Sequence, residues 1–547
     1  MKLTPPPVFT RLALPPSPVA LAVIAIAFIL PGLAGHDPWK THDVLGISIV
    51  HGMAQTGDLL VPRVAGLLWL SDPPLYHWLA LAFGKALGAL MEFHAAARLA
   101  SGVFVLLAFG LLFAAARDWS HIDDRRTTAS AALLVLLGCV GLMVHAHEAV
   151  PELAQLAALC GALAALPRAN TRPVGAGVAF GVALGCAFLS ANWIAPAALG
   201  LAVLGAHGAC EEWRTRKMAM FLVIGIPLAL ALGALWPIGL WLRSAELHSA
   251  WWTLTSQPQD AALRNFEYFV STGGWFTWPA WPLAFWTLWA LRRRLAEPRL
   301  FVPTVAALAT LLCIAYWGPR EDVNLIPLLA PLALLAAHGV PLLRRGAAAA
   351  LDWFGVVTFA FFASLVWLGY AGMMTGIPPK IAANFARAAP GFTAHFSIVP
   401  LVAAAALSIG WIYVALFTSP SPTRSVTRWA AGIVLLWGCF ALLWMPWADF
   451  QKSYRPVALK LRESVPAHSG CIAQRFLGLS QGAALEYHAG LRTRPFDPRR
   501  PEACRLLLIQ GSPGNELDAP GLGWRKIAEA GRPGDRGERY RLYRYTK

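Results

Sequence analysis

Long apolar segments follow one another along most of the chain, and most are separated only by short polar stretches. Many of them reach the roughly 20 residues that an α-helix needs to cross a bilayer. Fourteen candidates lie at about 17–34, 73–91, 97–117, 127–145, 148–167, 174–190, 193–208, 218–243, 272–291, 299–317, 323–343, 351–375, 397–417 and 427–447. The pattern predicts a polytopic α-helical membrane protein.

Lysine and arginine near the ends of the spans indicate which side of the membrane is cytoplasmic. Their clusters are Lys2/Arg11, Arg117/Arg125/Arg126, Arg168/Arg172, Arg214/Arg216/Lys217, Arg292/Arg293/Arg294/Arg299, Arg344/Arg345 and Arg424/Arg428. All of these clusters fall on one side only if segment 73–91 does not cross. That segment begins with Pro73-Pro74 and contains Lys85, so we expect it to lie in the outer interface. About thirteen crossings then remain, with the C-terminus outside.

The composition agrees with a membrane protein and restricts its partners. The 547 residues are 57% hydrophobic and only 14% charged, which is too little charge for the surface of a soluble protein of this size. The net charge of +16 lies in short loops between apolar segments. Orientation signals and contacts with lipid headgroups have that pattern, so we expect the bilayer, and no nucleic acid, as a partner.

From about residue 448 the chain changes character. The segments GCIAQRFLGL, RLLLIQ, WRKIAEAG and ERYRLYRYT are typical of strands, and LSQGAALEYHAGL of a short helix. We therefore predict a transmembrane domain at 1–447 and a small α/β domain outside the membrane at 448–547. Cys471 and Cys504 begin two of the strands, and they could pair in an oxidising compartment or remain free.

The longest polar interruption among the early apolar segments is the predicted first outer loop, residues 35–96. Its charged and titratable residues include Asp37, Lys40, His42, Asp43, His51, Asp58, Arg63, Asp72 and His77. Long ordered loops tend to be functional. We expect this loop to cover an active site at the membrane surface, with the other outer loops converging on it.

Other polar residues interrupt the apolar pattern at later turns. Glu148 and Glu152 flank the start of a predicted span and share a helix face, where they could form part of a site or cap the helix. In the loop GPREDVN, Arg320 could hold a phosphate or form a surface ion pair. The histidines His42, His51, His77, His145 and His147 could bind a metal, although isolated histidines are usually structural.

The first loop also carries a motif. Its residues are Asp43, Met53, Thr56-Gly57-Asp58, Val61-Pro62, Gly66, Pro73-Pro74-Leu75-Tyr76 and Trp78, with Arg98 and the run NLIPLLAPLALL from Asn324 as further matches. This pattern resembles the membrane glycosyltransferases of the GT-C class, in particular the group of aminoarabinose lipid A transferases and protein O-mannosyltransferase-like enzymes. The resemblance covers roughly residues 17–345.

The resemblance implies a GT-C fold with a periplasmic C-terminal domain in the bacterial inner membrane. Such enzymes take a sugar from a polyprenyl-phosphate carrier and transfer it to a lipid, such as a lipid A-like acceptor, or to another acceptor. Displacing the carrier needs a base for the acceptor hydroxyl and cations for the departing phosphate, and direct displacement inverts the anomeric centre.

Roles follow for individual residues. We expect Asp43 to be the base and Glu152 to orient the acceptor or a metal. The expected substrate-binding residues are Lys40, His42, Arg63, Asp72, Tyr76, Glu148, Arg320 and Asn324. No cofactor is certain, and a divalent metal ion, if one is used, would bind Asp43, Asp72 and Glu152.

The chain departs from the family pattern at positions that bear on phosphate binding. His42 stands where the family has the first of two acids, Ser71-Asp72 replaces Glu-Lys, and Ala191 replaces a lysine. Two alternatives to a transferase therefore remain, a lipid or solute transporter and a catalytically inactive homologue. A transporter would need related halves with broken helices, whereas the acids of this chain gather at one face.

Overall fold

The computed structural model describes residues 16–258, 262–466, 470–500, 503–512, 520–521, 523–535 and 537–546. Within them the chain forms a large helical part followed by a small mixed α/β part. Lys2 and Arg11, which the sequence assigns to the cytoplasmic side, lie outside the described residues.

The helical part is built from helices of very different length. They are α1 Pro18–Ile29, α2 His42–Thr56, α3 Leu75–Leu87, α4 Phe93–Asp118, α5 Arg125–Leu137, α6 Val140–His145, α7 Glu152–Ala165, α8 Pro173–Ser190, α9 Ile194–Ala209, α10 Arg216–Gly233, α11 Leu235–Arg243, α12 Ala245–Ser256, α13 Ala262–Phe276, α14 Ala280–Ala290, α15 Pro298–Trp317, α16 Leu329–Gly339, α17 Arg345–Thr375, α18 Pro379–Ala388, α19 Ile398–Phe417, α20 Arg424–Cys439 and α21 Met445–Lys452. A two-stranded hairpin, β1 Arg63–Val64 and β2 Leu67–Leu68, lies between α2 and α3.

Eight helical segments of the described chain are long and apolar enough to cross a membrane. They are Phe93–Asp118, Pro173–Ser190, Arg216–Arg243, Pro298–Trp317, Asp322–Leu342, Arg345–Thr375, Ile398–Phe417 and Arg424–Ser464. The predicted polytopic helical fold is therefore confirmed. The count of thirteen crossings stays a prediction, because several apolar segments are broken into shorter helices, as 127–145 is into α5 and α6. The doubtful segment 73–91 forms α3, which at 13 residues is shorter than a span.

Glycines allow two of the long helices to approach closely. Gly177, Gly181 and Gly185 follow one another at four-residue intervals on α8 and face α10. A Cβ atom added to Gly181 would lie 2.7 Å from the carbonyl oxygen of Gly225 on α10. Small residues at this spacing bring helix backbones into van der Waals contact, which drives helix association where no hydrophobic effect operates.

The first outer loop packs closely on the helical part. Gly46 of α2 lies against the turn between α6 and α7, where a Cβ atom would come within 1.8 Å of the carbonyl oxygen of Ala149. At the other end of α2, Gly57 adopts a φ of +72° and closes the helix with a hydrogen bond from its N–H to Met53 O. Asp58 then accepts hydrogen bonds from the next turn's backbone. The Thr-Gly-Asp motif thus ends helix α2 and begins the turn that follows it.

The C-terminal part confirms the predicted strands and helix. Its elements are α22 Arg455–Ser464, β3 Ile472–Arg475, α23 Leu479–Ala489, β4 Thr493–Pro495, β5 Leu506–Gly511, β6 Trp524–Ala530 and β7 Arg539–Tyr545. The five strands form one sheet in the order β4-β3-β5-β7-β6, in which β3 pairs in parallel with β4 and β5, and β7 pairs antiparallel with β5 and β6. The short edge strand β4 was not predicted. The exact division at residue 447 remains a prediction.

This C-terminal sheet is anchored to the first outer loop. Lys40 Nζ lies 2.8 Å from Glu538 Oε1, and the Ser48 hydroxyl donates to Ala483 O. Burial raises the pKa of Glu538, but Lys40 and the hydroxyls of Tyr454 and Tyr540 outweigh it and lower that pKa to about 2. The carboxylate is therefore ionised at neutral pH and holds the two parts together.

Cys471 and Cys504 form a disulfide. The bond joins the residue before β3 to the segment before β5, and the two cysteines are 33 positions apart in the sequence. The other six cysteines are free thiols. Of the two alternatives that the sequence left open, the structure selects the paired form.

A thiol count checks this pairing. We expect six thiols per chain to react with a maleimide after denaturation without reductant, and eight after reduction. Because closing a loop of this length restricts the unfolded chain, Cys471→Ser should destabilise the C-terminal domain by about 3–4 kcal/mol. Cys313→Ala, which removes a free thiol, serves as the control. Eight reactive thiols in the unreduced protein would contradict the pairing.

Candidate active site

A polar cavity of about 330 Å³ lies where six separate stretches of the chain meet. The stretches are the first half of α2, the segment after β2 with the start of α3, the turn leading into α7, the turn between α8 and α9, the end of α12, and the loop after α15. The residues with polar side chains or aromatic rings that line the cavity are His42, Trp69, Ser71, Asp72, His77, Glu152, Asn192, Trp193, Thr255, Trp317, Glu321 and Asn324. The expected convergence of the outer loops is therefore present.

Asp43 lies behind the wall of this cavity. Its carboxylate accepts from Arg98 Nε at 3.0 Å and from the Arg98 Nη2 at 2.6 Å, and the backbone N–H of Ala149 donates to it at 2.9 Å. Both side chains are fully buried. Burial raises the pKa of Asp43, but the guanidinium outweighs it and brings that pKa below its ordinary value.

The surroundings of Asp43 bear on its expected role. A base has to reach the acceptor hydroxyl, whereas both oxygens of this carboxylate are engaged by protein donors. The same donors leave no free lone pair directed at a metal ion. The role of Asp43 as base or metal ligand stays untested, and its contacts favour a structural function.

Three carboxylates do line the cavity, those of Asp72, Glu152 and Glu321. Trp69 Nε1 donates to Asp72 Oδ2 at 3.1 Å. Burial, together with the charge of Glu321, raises the pKa of Asp72. Glu152 is the first residue of α7 and 7% exposed. Within the described residues no side chain donates a hydrogen bond to Glu152, so its carboxylate is available to a ligand.

His42 also faces the cavity and begins a chain of titratable groups. His42 Nε2 lies 3.5 Å from Asp322 Oδ1, and the second oxygen of Asp322 lies 3.4 Å from His145 Nε2. The other ring nitrogen of His145 lies 2.6 Å from Glu148 Oε2. Burial lowers the pKa of His42, but the carboxylates of Asp322 and Glu152 outweigh it, and that pKa is raised.

His77 is a second histidine that lines the cavity, and its protonation state differs from that of His42. Its side chain is fully buried, and neither ring nitrogen has a hydrogen-bond partner among the described residues. Burial lowers the pKa of His77 to about 3, so the ring is neutral. A buried polar group without a partner is costly, and a ligand hydroxyl in the cavity would satisfy it.

The three residues expected to hold phosphate point elsewhere. Lys40 is paired with Glu538 of the C-terminal domain. Arg63 lies on the hairpin and lines a different cavity, and Arg320 donates from Nε to Asn265. No lysine or arginine is among the described residues that line the polar cavity.

Of the remaining expected residues, one lines the cavity and another packs behind it. Asn324 lines the cavity and accepts a hydrogen bond from Asn192 at 3.1 Å. Tyr76 is fully buried and lies 2.7 Å from the Ser101 hydroxyl, which donates to the carbonyl of Glu148. Tyr76 therefore fastens α3 to α4 and to the turn before α7 instead of contacting the cavity.

An apolar cavity of about 350 Å³ adjoins the polar one. The two cavities share Ser71, Asn192, Trp193 and Thr255 as lining residues. Most of the apolar lining comes from Pro73, Phe188, Leu230, Trp236, Trp251 and Trp252. A molecule with a polar end and a hydrocarbon chain could occupy both cavities at once.

One group of the described residues has the spacing of a metal site. Ligand atoms of Asp37, Glu92 and His94 lie within 4.8 Å of one another. The Arg455 guanidinium lies 2.6 Å from both Asp37 and Glu92, so a cation of the protein already balances these acids. None of the three lines the polar cavity, and the expected metal set of Asp43, Asp72 and Glu152 is not among the groups brought together.

Sequence reasoning did not assign a role to several cavity residues. Glu321 belongs to the loop GPREDVN, in which only Arg320 and Asn324 were given roles, and Asn192 was given none. The ion-pairing role of Arg98 had a signal, since a charged residue inside an apolar segment requires a partner. For Trp193 and Trp317 the sequence offered no signal that separates them from other aromatic residues near span ends.

Comparison with known proteins extends this picture. No protein family model matches the chain. The chain is 22% identical over 382 residues to the undecaprenyl phosphate-α-4-amino-4-deoxy-L-arabinose arabinosyl transferase of Yersinia enterocolitica, a match that covers 65% of this chain and 66% of that relative. The chain thus matches slightly less than two thirds of the relative's length.

The fold is similar over nearly the whole chain to crystal structures of ArnT from Cupriavidus metallidurans. The apo structure and the structure bound to undecaprenyl phosphate each give a TM-score of 0.67 at 19% identity. Each match covers 95% of this chain and 96% or 97% of the ArnT chain. The chain therefore has the fold of ArnT, a membrane glycosyltransferase of the GT-C class, as the motif in its first loop indicates.

Proposed function

We propose that this protein is a membrane glycosyltransferase that takes a sugar from a polyprenyl-phosphate carrier and transfers it to a lipid acceptor, such as a lipid A-like molecule, at the periplasmic face of the bacterial inner membrane. The observation that carries this proposal is the pair of adjoining cavities, one polar with a free carboxylate and one apolar. The names of the relatives supply the first donor to test, 4-amino-4-deoxy-L-arabinose on undecaprenyl phosphate.

The apolar cavity is suited to the first isoprene units of the carrier. Its surface is formed almost entirely by aliphatic and aromatic side chains, including Trp236, Trp251 and Trp252. Burying hydrocarbon there releases about 25 cal/mol per Å². Because Asn192 and Thr255 line both cavities, a carrier held in this way places its phosphate at the edge of the polar cavity.

His42 supplies the positive charge for that phosphate. Since no lysine or arginine lines the described cavity, the protonated imidazole is the cation that faces it. Asp322 lies 3.5 Å from the ring and stabilises the charged form, and His145 with Glu148 orients Asp322 in turn. A hydrogen bond from His42 to the bridging oxygen would stabilise the charge that develops as the carrier leaves.

Glu152 is the base in this mechanism. Its carboxylate accepts the proton of the acceptor hydroxyl while the hydroxyl oxygen bonds to the anomeric carbon and the bond from that carbon to the phosphate oxygen breaks. Polyprenyl phosphate leaves with the electron pair. Attack from the side opposite the phosphate inverts the anomeric centre. The neutral ring of His77 is placed to bind a sugar hydroxyl.

Asp43 has a positioning role in this scheme. Its ion pair with Arg98 fixes the start of α2 against α4, and its bond from Ala149 N fixes the turn before α7. The neighbouring residue His42 and the first residue of α7, Glu152, are held at the cavity by these contacts.

The direct test is a reaction with the carrier. Purified protein is incubated with undecaprenyl phosphate bearing labelled aminoarabinose and with extracted membrane lipid. We expect transfer of label to lipid, or release of free sugar when acceptor is omitted. Movement of lipid across a vesicle membrane without either reaction would support a transporter, and the absence of both activities would support an inactive homologue.

Of the three predictions that test this mechanism, the first concerns the base. Glu152→Gln keeps the shape of the side chain but removes its ability to accept a proton, so the transfer rate should fall by about 10²–10⁴-fold. Donor binding should be retained. Glu267→Gln alters an exposed residue of α13 that does not line the cavity and should leave the rate unchanged. A fully active Glu152→Gln variant would overturn the assignment.

The second prediction concerns pH. The pKa of His42 is raised above the ordinary value of 6.5, and the protonated form is the active one. Activity should therefore be lost on the alkaline side as the pH rises through the pKa of His42, and it should also fall on the acid side, where the base Glu152 becomes protonated. His42→Gln should lower kcat/KM and abolish this alkaline limb, while His121→Gln, at an exposed histidine, should preserve it. An unchanged pH profile in His42→Gln would exclude His42 as the phosphate contact.

The third prediction separates a positioning role of Asp43 from a catalytic one. Breaking a buried ion pair costs about 3–5 kcal/mol, so Asp43→Asn should lower the thermal unfolding temperature markedly, and Glu152→Gln should not. Arg98→Gln should have a similar effect. The double variant should lose less stability than the sum of the losses in the two single variants, because both changes remove the same interaction. An Asp43→Asn protein of normal stability that lacks transfer would instead support Asp43 as the base.

A further inference from the structure

A second polar cavity, of about 650 Å³, lies between the first outer loop and the C-terminal domain. The end of α2 and the hairpin β1–β2 form one side, and residues around β3, α23 and β4 form the other. The cavity shares no lining residue with the active-site cavity within the described chain. Its volume is in the range of small-molecule sites.

Arginine dominates the charge of this cavity. Arg63, Arg492 and Arg494 line it together with a single acid, Glu486. Arg492 Nε lies 3.0 Å from Glu486 Oε1, and its Nη2 donates to Gln55. Arg63 makes one long contact of 3.4 Å, with Gly66 O. Arg494 forms no ion pair with any residue that the structure describes.

Two guanidinium groups thus face the cavity without a neutralising carboxylate. Guanidinium groups bind phosphate oxygens through paired N–H donors. Side chains of Gln55, Thr56 and Gln474 line the same cavity and could bind hydroxyl groups of the same ligand. The chemistry fits a phosphate ester with a polar body.

Exposed leucines lie beside these arginines. Leu67 and Leu68, which form strand β2 of the hairpin, are 55% and 44% exposed, and Leu59 before the hairpin is 47% exposed. Leu67 itself lines the cavity. Arginine and exposed leucine on one short hairpin are the combination that contacts an anionic lipid, with the headgroup at the cationic residues and the acyl chains at the apolar ones.

The hairpin also connects the two polar cavities. Leu67 lines the second cavity, and Trp69, two residues further on, lines the active-site cavity. Two residues of extended chain span about 7 Å. The linings of the two cavities thus come within two residues of each other along this hairpin.

We propose that the cavity lined by Arg63, Arg492 and Arg494 binds the phosphate-bearing headgroup of the acceptor lipid. The identification of this lipid as the acceptor rests on the proposed transferase function. Binding of an anionic lipid at this place can be measured without any transfer.

Binding is tested on the full-length protein in amphipol. The probes are inorganic phosphate, dihexanoyl-phosphatidic acid and dihexanoyl-phosphatidylcholine, each measured by calorimetry. We expect phosphatidic acid to bind more tightly than free phosphate, and phosphatidylcholine to bind weakly. Equal affinity for phosphate and phosphatidic acid would overturn the assignment of the ligand as a lipid. Equal affinity for the two lipids would overturn the assignment of the headgroup as anionic.

The matched variants change two arginines that make few protein contacts. Arg63→Gln with Arg494→Gln should weaken phosphatidic acid binding by about tenfold or more. Arg525→Gln is the control, since this exposed residue lies on β6, at the opposite edge of the sheet from β4. Arg492 is left intact because it bonds to Gln55 and Glu486. Unchanged affinity in the double variant would disprove the site.

A kinetic experiment separates this inference from the transferase proposal. In the double variant the KM for extracted lipid acceptor should rise, and hydrolysis of the sugar carrier without acceptor should keep its rate. If the protein shows no transfer or hydrolysis at all, the transferase proposal fails while the binding measurement still decides the lipid site. If transfer proceeds with an unchanged KM in the variant, the headgroup site is disproved and the transferase proposal stands.

Discussion

The buried ion pair between Asp43 and Arg98 is the contact on which the geometry of the site depends. Two opposite charges with no solvent exposure are stable together only when their hydrogen-bonding capacity is used. Here Arg98 also donates to His36 O, and Asp43 accepts from Ala149 N. The pair therefore joins the first outer loop, α4 and the turn before α7 at a single point, and the loop cannot shift without leaving a charge unpaired.

This constraint explains the close packing next to it. Gly46 lies one helical turn beyond His42 and touches the carbonyl of Ala149 so closely that no larger residue fits. With α2 held at that distance, His42 at its start and Glu152 at the start of α7 face one cavity. The C-terminal domain, tied to Lys40 through Glu538, closes the first loop from the other side.

The sequence predicted the fold class, the four main C-terminal strands and the convergence of outer loops, because hydrophobic periodicity and charge placement report burial directly. It could not tell which acids line a cavity. Asp43 and Glu152 are both acids at helix starts, and only the position of Arg98 in space separates the paired carboxylate from the free one. Likewise, Lys40 and Arg320 were equivalent cations in sequence, yet their partners lie 498 and 55 residues away. Long-range pairing of that kind leaves no local pattern.

In the proposed mechanism, His42 supplies the positive charge that the resemblance leads one to expect from a lysine. An arginine or lysine keeps its charge in almost any setting, whereas a histidine is charged at neutral pH only where carboxylates surround it. Asp322 is shared between His42 and His145, and Glu148 pairs with the far side of His145. Glu152 and Glu321 line the cavity, whereas Asp322 and Glu148 lie outside its lining, and all four carboxylates raise the pKa of His42. A phosphate entering beside His42 strengthens that protonation further, so donor binding and the active charge state favour one another.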